Sequence, residues 1–204
     1  MAVEVGQRAP DFTLPSDERK SVSLIPRAPL RCATMNVRMR DAYEKVKEAA
    51  RQRGRVLVAY SGGVDSGLVA RIVYDAIGED ALAVIGDAES LSRRELREAK
   101  ANAEEIGIPF RIASVSELAS EDYRQNPTNR CYFCRAGLAD ALLKIVGQEN
   151  YNAIADGINA SDLGDYRPGI QAMNEAGVWH PLLEFGLAKP DVRALAKDLG
   201  LHAP

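Results

Sequence analysis

Six consecutive residues, Ser61-Gly62-Gly63-Val64-Asp65-Ser66, concentrate groups that can hold and activate a phosphate chain. The apolar run Val56-Leu57-Val58-Ala59-Tyr60 precedes them, and Leu68, Val69, Ile72 and Val73 follow at helical spacing before Gly78. That pattern predicts a buried strand, a tight loop and a helix. At such a junction glycines let the backbone approach a pyrophosphate closely, and the first N–H groups of the helix point at the anion. Ser61 and Ser66 each add a hydroxyl donor. Asp65 would repel phosphate unless a cation intervenes, so its expected task is Mg²⁺, held directly or through water. A plain strand-to-helix turn would need neither the hydroxyls nor the carboxylate. No Gly-Lys-Ser/Thr follows, which disfavours a Walker loop and the phosphate hydrolases built on one.

Cys131 and Cys134 form the second reactive set. With three cysteines in the chain and no secretion signal at Met1-Ala2-Val3-Glu4-Val5-Gly6, a disulfide framework is not expected. Three readings stay open: part of a zinc site completed from Cys32, His180 and His202, a pair of inert helix-packed thiols, or iron–sulfur or sulfur-transfer chemistry. Arg130, Arg135 and Arg167 have the planar fork that grips phosphate or carboxylate with two parallel hydrogen bonds, or are ordinary surface charge. Trp179 and His180 read as packing or surface residues without a chemical role.

The elements that must position these groups alternate regularly. Ala42, Val46, Ala49 and Ala50 give a helix from Asp41 stopped by Gly54. Ala81 to Ile85 reads as strand, Ser92-Arg93-Arg94-Glu95 as a capping box opening a helix to Gly107, and Phe110 to Val115 as strand. Cys131 to Val146 reads as helix, Tyr151 to Ala155 as strand, and Pro190-Asp191-Val192-Arg193 as the start of a last helix. Strands alternating with helices imply an α/β fold with a doubly wound, mostly parallel sheet, whose ligands bind at the carboxyl ends of the strands where the order reverses.

Length and charge narrow the class. A chain of 204 residues, 46% hydrophobic and 27% charged, suffices for one well-buried domain with a small appendage. No apolar run is long enough to cross a bilayer, and a cytoplasmic location is expected. The net charge of −3 divides into a basic stretch before residue 56 and an acidic remainder, with Arg38, Arg40, Lys45, Lys47, Arg51, Arg53 and Arg55 interleaved with Asp41, Glu44 and Glu48. Such interleaving fits a solvated helix face better than a nucleic-acid surface.

The Ser61–Ser66 loop resembles that of the PP-loop ATP pyrophosphatase superfamily, which includes NAD and GMP synthetases, tRNA thiolases and LarE-type sulfur transferases. Within it, three stretches resemble LarE-type proteins: Asn126 to Arg135 with its cysteines, Asp156-Gly157-Ile158-Asn159-Ala160-Ser161-Asp162 with Asp165-Tyr166-Arg167-Pro168-Gly169, and Pro181-Leu182-Leu183-Glu184 with Lys189-Pro190-Asp191-Val192-Arg193. The resemblance implies an adenine nucleotide alpha-hydrolase-like domain that adenylylates a substrate carboxylate, releases pyrophosphate and couples this to sulfur transfer, as in synthesis of the nickel-pincer cofactor of lactate racemase. It implies ATP and Mg²⁺ as cofactors and a 4Fe-4S cluster as a further one. Ser61, Gly62, Gly63, Val64, Asp65, Ser66 and Gly157 would bind nucleotide, with Asp65 on Mg²⁺; Asp65, Lys189, Arg167, Cys131 and Cys134 would be catalytic, the two cysteines also being cluster ligands. A tRNA thiolase, another PP-loop amidotransferase or synthetase, and an ATP-binding protein without turnover are the alternatives.

Expected partners are ATP and a small carboxylate-bearing nucleotide, without membrane or nucleic acid, in a homo-oligomer. Residues 37–204 would form the PP-loop domain, without the later cysteine and arginine-rich segment of the family's C-terminal region. Residues 1–36 would be an appendage whose first 24 resemble a peroxiredoxin N-terminus, through Gln7 to Pro15 and Ser21 to Leu24. The reactive cysteine motif of a peroxidase does not follow, and peroxidase activity is not expected.

Overall fold

The continuous apolar run at Val56–Ala59 becomes a strand with both faces covered, which is what a central parallel strand requires. A computed structural model describes residues 35–116, 129–164 and 167–201. Cys32, His202, Asp165, Tyr166 and the peroxiredoxin-like stretch lie outside the described residues. Four parallel strands, β1 (Val56–Ala59), β2 (Ala81–Asp87), β3 (Phe110–Ser114) and β4 (Ala153–Ala155), pair in the order β3-β2-β1-β4. Val56 lies opposite Ala81 on one side and Ala153 on the other. The chain leaves β1 towards β2 and returns on the opposite side as β4, so the order reverses between β1 and β4.

Alternate residues of the sheet face two separate cores. Val56, Val58, Tyr60, Ala83 and Ile85 pack with helices α1 (Val37–Arg53), α2 (Val64–Ile77), α3 (Arg93–Ile106) and the last helix, α7 (Lys189–Asp198). Leu57, Ala59, Leu82 and Val84 pack with α4 (Arg130–Glu149) and α5 (Pro168–Glu175). A short helix, α6 (Pro181–Glu184), precedes α7. The predicted doubly wound α/β architecture is the one observed.

Local chemistry sets most boundaries. Ser92 Oγ accepts from Glu95 N at 3.1 Å while Glu95 accepts from Ser92 N at 3.0 Å, the reciprocal box read from these residues. Helix α1 begins four residues before Asp41, because the Asn36 side chain caps it through Arg38 N at 3.0 Å and Met39 is buried. Helix α4 outruns Val146 to Glu149 and ends on Asn150 at φ 57°. Basic residues of α1 are paired with carboxylates: Lys45 with Asp41, Lys47 with Glu44, Arg51 with Glu48 and Arg38 with Asp191. That arrangement matches a solvated helix face. No helix among the described residues is long and apolar enough to cross a membrane.

Ile72 on α2 is fully buried against the first core, whereas Leu163 is 63% exposed. Ile72→Ala should therefore cost about 2–5 kcal/mol in urea denaturation, and Leu163→Ala about 0.5 kcal/mol or less.

Candidate active site

The loop between β1 and α2 takes its shape from one glycine and two serines. Gly62 has φ 82°, and a Cβ there would stand 2.7 Å from Cα and Cβ of Ala99 on α3, so only glycine fits. Asn102, one turn further along α3, donates to Gly62 O at 3.0 Å. Ser66 Oγ accepts from Ser61 N at 3.2 Å, lies 3.1 Å from Ser61 Oγ and donates to Gly63 O at 3.2 Å, closing the loop on itself. Gly63 caps α2 without any side-chain bond to the helix, leaving the N–H groups of the first turn for an external acceptor. Packing does not demand glycine at 63: a Cβ there would meet only Ser61 Oγ at an ordinary 3.6 Å.

The segment after β4 forms the opposite wall. A Cβ on Gly157 would lie 2.6 Å from Ser66 N and 2.9 Å from Asp65 C, so backbone meets backbone where β1 and β4 diverge. Two residues later the buried Asn159 donates to Asp65 Oδ1 at 3.4 Å. Asp65 Oδ2 is ion-paired with Lys189 Nζ, from 124 residues away in the chain. Lys189 opens α7, where the helix dipole disfavours a cation, and its backbone N–H donates to Ser161 Oγ at 3.0 Å. The lysine is thus held at the loop rather than serving its own helix.

Arg167 pairs with Asp162 at 2.6 Å, and Asp162 in turn accepts from Asn159 N at 2.9 Å. Arg167 joins the same wall, three polar links from Asp65. Cys131, exposed, and Cys134, half-buried, occupy the first turns of α4 on the other face of the sheet. Gly169 of α5 packs on that turn, since a Cβ on it would approach Arg135 Cγ to 2.8 Å and Cys131 O to 3.2 Å. Around the strand ends, Arg93 grips Asp87 through bonds of 2.6 and 3.0 Å and holds its carboxyl below the usual carboxylate range. Burial pushes the Tyr60 hydroxyl above its ordinary pKa, and that hydroxyl has no hydrogen-bond partner among the described residues.

Residues 36–137, half of the chain, match the NAD synthase family model. The chain belongs to the NAD synthase family. It is 44% identical over 158 residues to an uncharacterized protein of Synechocystis, across 78% of this chain and 59% of that one. It is 36% identical over 148 residues to pyridinium-3,5-bisthiocarboxylic acid mononucleotide synthase of Lactiplantibacillus plantarum, across 72% of this chain and 54% of that enzyme. The chain therefore spans little more than half the length of these curated relatives. The solved NH3-dependent NAD synthetase of Campylobacter jejuni shares the fold, with a TM-score of 0.63 at 19% identity over 81% of this chain and 73% of that one.

The donor set suits a nucleotide of this enzyme family better than a metal cluster. Two hydroxyls, a helix N-terminus, a cation and one carboxylate face one another at the β1–β4 divergence. Among the described residues no three His, Cys, Asp or Glu side chains gather to hold a metal, so Mg²⁺ at Asp65 would need ligands from the phosphates. The same residues supply two thiols to a 4Fe-4S cluster, fewer than such a cluster takes. His180 is not free for zinc, because both ring nitrogens are engaged, by Asp156 at 2.7 Å and Asn174 at 2.9 Å. Asn102, Asn159 and the His180–Asp156 pair escaped the sequence-based site; Asn159 and Asp156 carried a signal, as parts of a segment resembling the LarE type.

Gly157→Ala should force the wall away from Ser66, lowering ATP affinity by about tenfold or more in calorimetric titration, as misplacement of positioning groups does. Gly147→Ala, in open space on α4, should leave affinity unchanged and add about 0.5–1 kcal/mol of stability.

Proposed function

We propose that this chain binds Mg·ATP on the Ser61–Ser66 loop, adenylylates a carboxylate of a small nucleotide substrate with loss of pyrophosphate, and couples this step to sulfur transfer. The observation that carries the reading is the meeting of Asp65 and Lys189 at the open N-terminus of α2. The first-turn N–H groups and the Ser61 and Ser66 hydroxyls would receive the phosphate chain, and Lys189 would neutralise its developing charge. Asp65 would hold Mg²⁺ once Lys189 turns to phosphate. Arg167, on the same wall, would orient the substrate carboxylate. The carboxylate oxygen attacks the α-phosphorus and the bond to the pyrophosphate oxygen breaks; hydrosulfide then attacks the acyl carbon, the bond to AMP breaks, and the thiocarboxylate remains.

The finer reading follows the L. plantarum relative: the product would be a thiocarboxylate of a pyridinium mononucleotide on the route to a nickel-pincer cofactor. Cys131 and Cys134 would serve the sulfur step, and no step is assigned to a cluster. A PP-loop domain over 37–204 with residues 1–36 as an appendage, a homo-oligomer and a cytoplasmic location belong to the same reading.

Incubation with Mg·ATP and the carboxylated pyridinium nucleotide should release AMP and pyrophosphate, read by ³¹P NMR; ADP and phosphate instead would sink the proposal. Lys189→Met should slow pyrophosphate release on the order of 10²-fold. Cys131→Ser should leave pyrophosphate release intact and reduce thiocarboxylate product in mass spectra.

A further inference from the structure

Asp156 follows β4 directly and is 2% exposed, an unusual place for a carboxylate. Its Oδ1 accepts from Ile158 N at 3.1 Å and bonds His180 Nδ1 at 2.7 Å, while its Oδ2 is buried with no hydrogen-bond partner among the described residues. His180 is therefore the side chain that offsets the desolvation of this carboxylate. Its other nitrogen bonds Asn174 Oδ1 at 2.9 Å, near the end of α5. The backbone repeats the connection: Trp179 N donates to Ile154 O at 2.7 Å, and Asp156 N donates to Trp179 O at 3.1 Å.

What Asp156 anchors is the wall of the candidate site. The next residue, Gly157, abuts Ser66 N, and Asn159 reaches Asp65. We infer that His180 is a positioning residue: by pinning Asp156 between the end of β4 and α5, it sets the Gly157–Asn159 wall that holds Ser66 and Asp65 in register for the nucleotide. The inference rests on the nucleotide reading of this loop for its purpose, and on geometry alone for the pinning. An imidazole fits because its two ring nitrogens meet Asp156 and the Asn174 side-chain amide at once, which aliphatic or lysyl side chains cannot match.

Hydrogen exchange followed by mass spectrometry on the full chain, with and without Mg·ATP, tests this. Without nucleotide, His180→Ala should raise exchange at least tenfold in peptides covering 157–162 and 61–66 and leave β2 unchanged. His180→Asn, whose amide reaches Asp156 as Nδ1 does, should restore protection to within about threefold, because one hydrogen bond of this kind suffices to hold the carboxylate. His180→Gln, whose amide reaches towards Asn174 instead, should not; this pair decides the matter if the alanine variant fails to fold. Leu142→Ala, a cavity in the second core, controls for general destabilisation and should spare both peptides. Change confined to 174–181, equal behaviour of the Asn and Gln variants, or equal loosening in Leu142→Ala would overturn the inference. Failure of Mg·ATP to protect 61–66 in the unaltered chain would instead count against nucleotide binding and leave the pinning result standing.

Discussion

The contact of Gly157 with the Ser66 amide is the constraint around which the site is arranged. Parallel pairing brings the ends of β1 and β4 side by side, and each strand then turns away, so two backbone segments meet without side chains between them. A glycine at that point lets the wall after β4 lie directly against the start of α2. Any separation would move Asn159 off Asp65, and with it the Ser161–Lys189 connection that brings the lysine in.

Electrostatics then gives the site its character. Asp65 sits at a helix N-terminus, where a carboxylate is favoured, and Lys189 sits at another, where a cation is not. Their ion pair offsets the unfavourable placement of the lysine, and it is partly exposed. The site is charged, ordered and open on the side of the helix amides. A buried carboxylate just behind the wall bonds His180, which in turn bonds Asn174 and so links the end of β4 to α5.

The second face of the sheet carries the two cysteines. Helices α4 and α5 pack closely through Gly169, and the Cys131–Cys134 turn is presented at their junction. Tyr132 and Gln171 both bond Glu175, tying the cysteine-bearing turn to the far end of α5. Because Asn174 of α5 also bonds His180, the thiol-bearing layer and the Ser61–Ser66 loop share one strand end. The proposed adenylylation and sulfur transfer would act in turn on one carboxyl group, and a sheet with the two sets of groups on its two faces could bring them to its shared edge.

Local pattern carried much of this in the sequence. Apolar spacing, the Ser92–Glu95 box and the glycine stops are decided by neighbours within a few residues, so the strands, most helices and the Ser61–Ser66 loop were legible, with α1 starting earlier only because Asn36 caps it. Lys189 was legible through family resemblance, not through spacing, and its partner could not be read, because an ion pair across 124 residues exists only once β4 and α7 are placed. His180 read as an ordinary packing residue, and its composition and neighbours contain nothing else. Its role arises from a strand bridge between Ala155 and Trp179 and from the approach of Asn174, which are products of the tertiary fold. The sequence by itself thus determined which groups could bind a phosphate chain and where the chain turns to present them. The tertiary structure decided which carboxylate faces which cation and which buried pair holds them there, because hydrogen bonding and desolvation depend on distances that only the folded sheet sets.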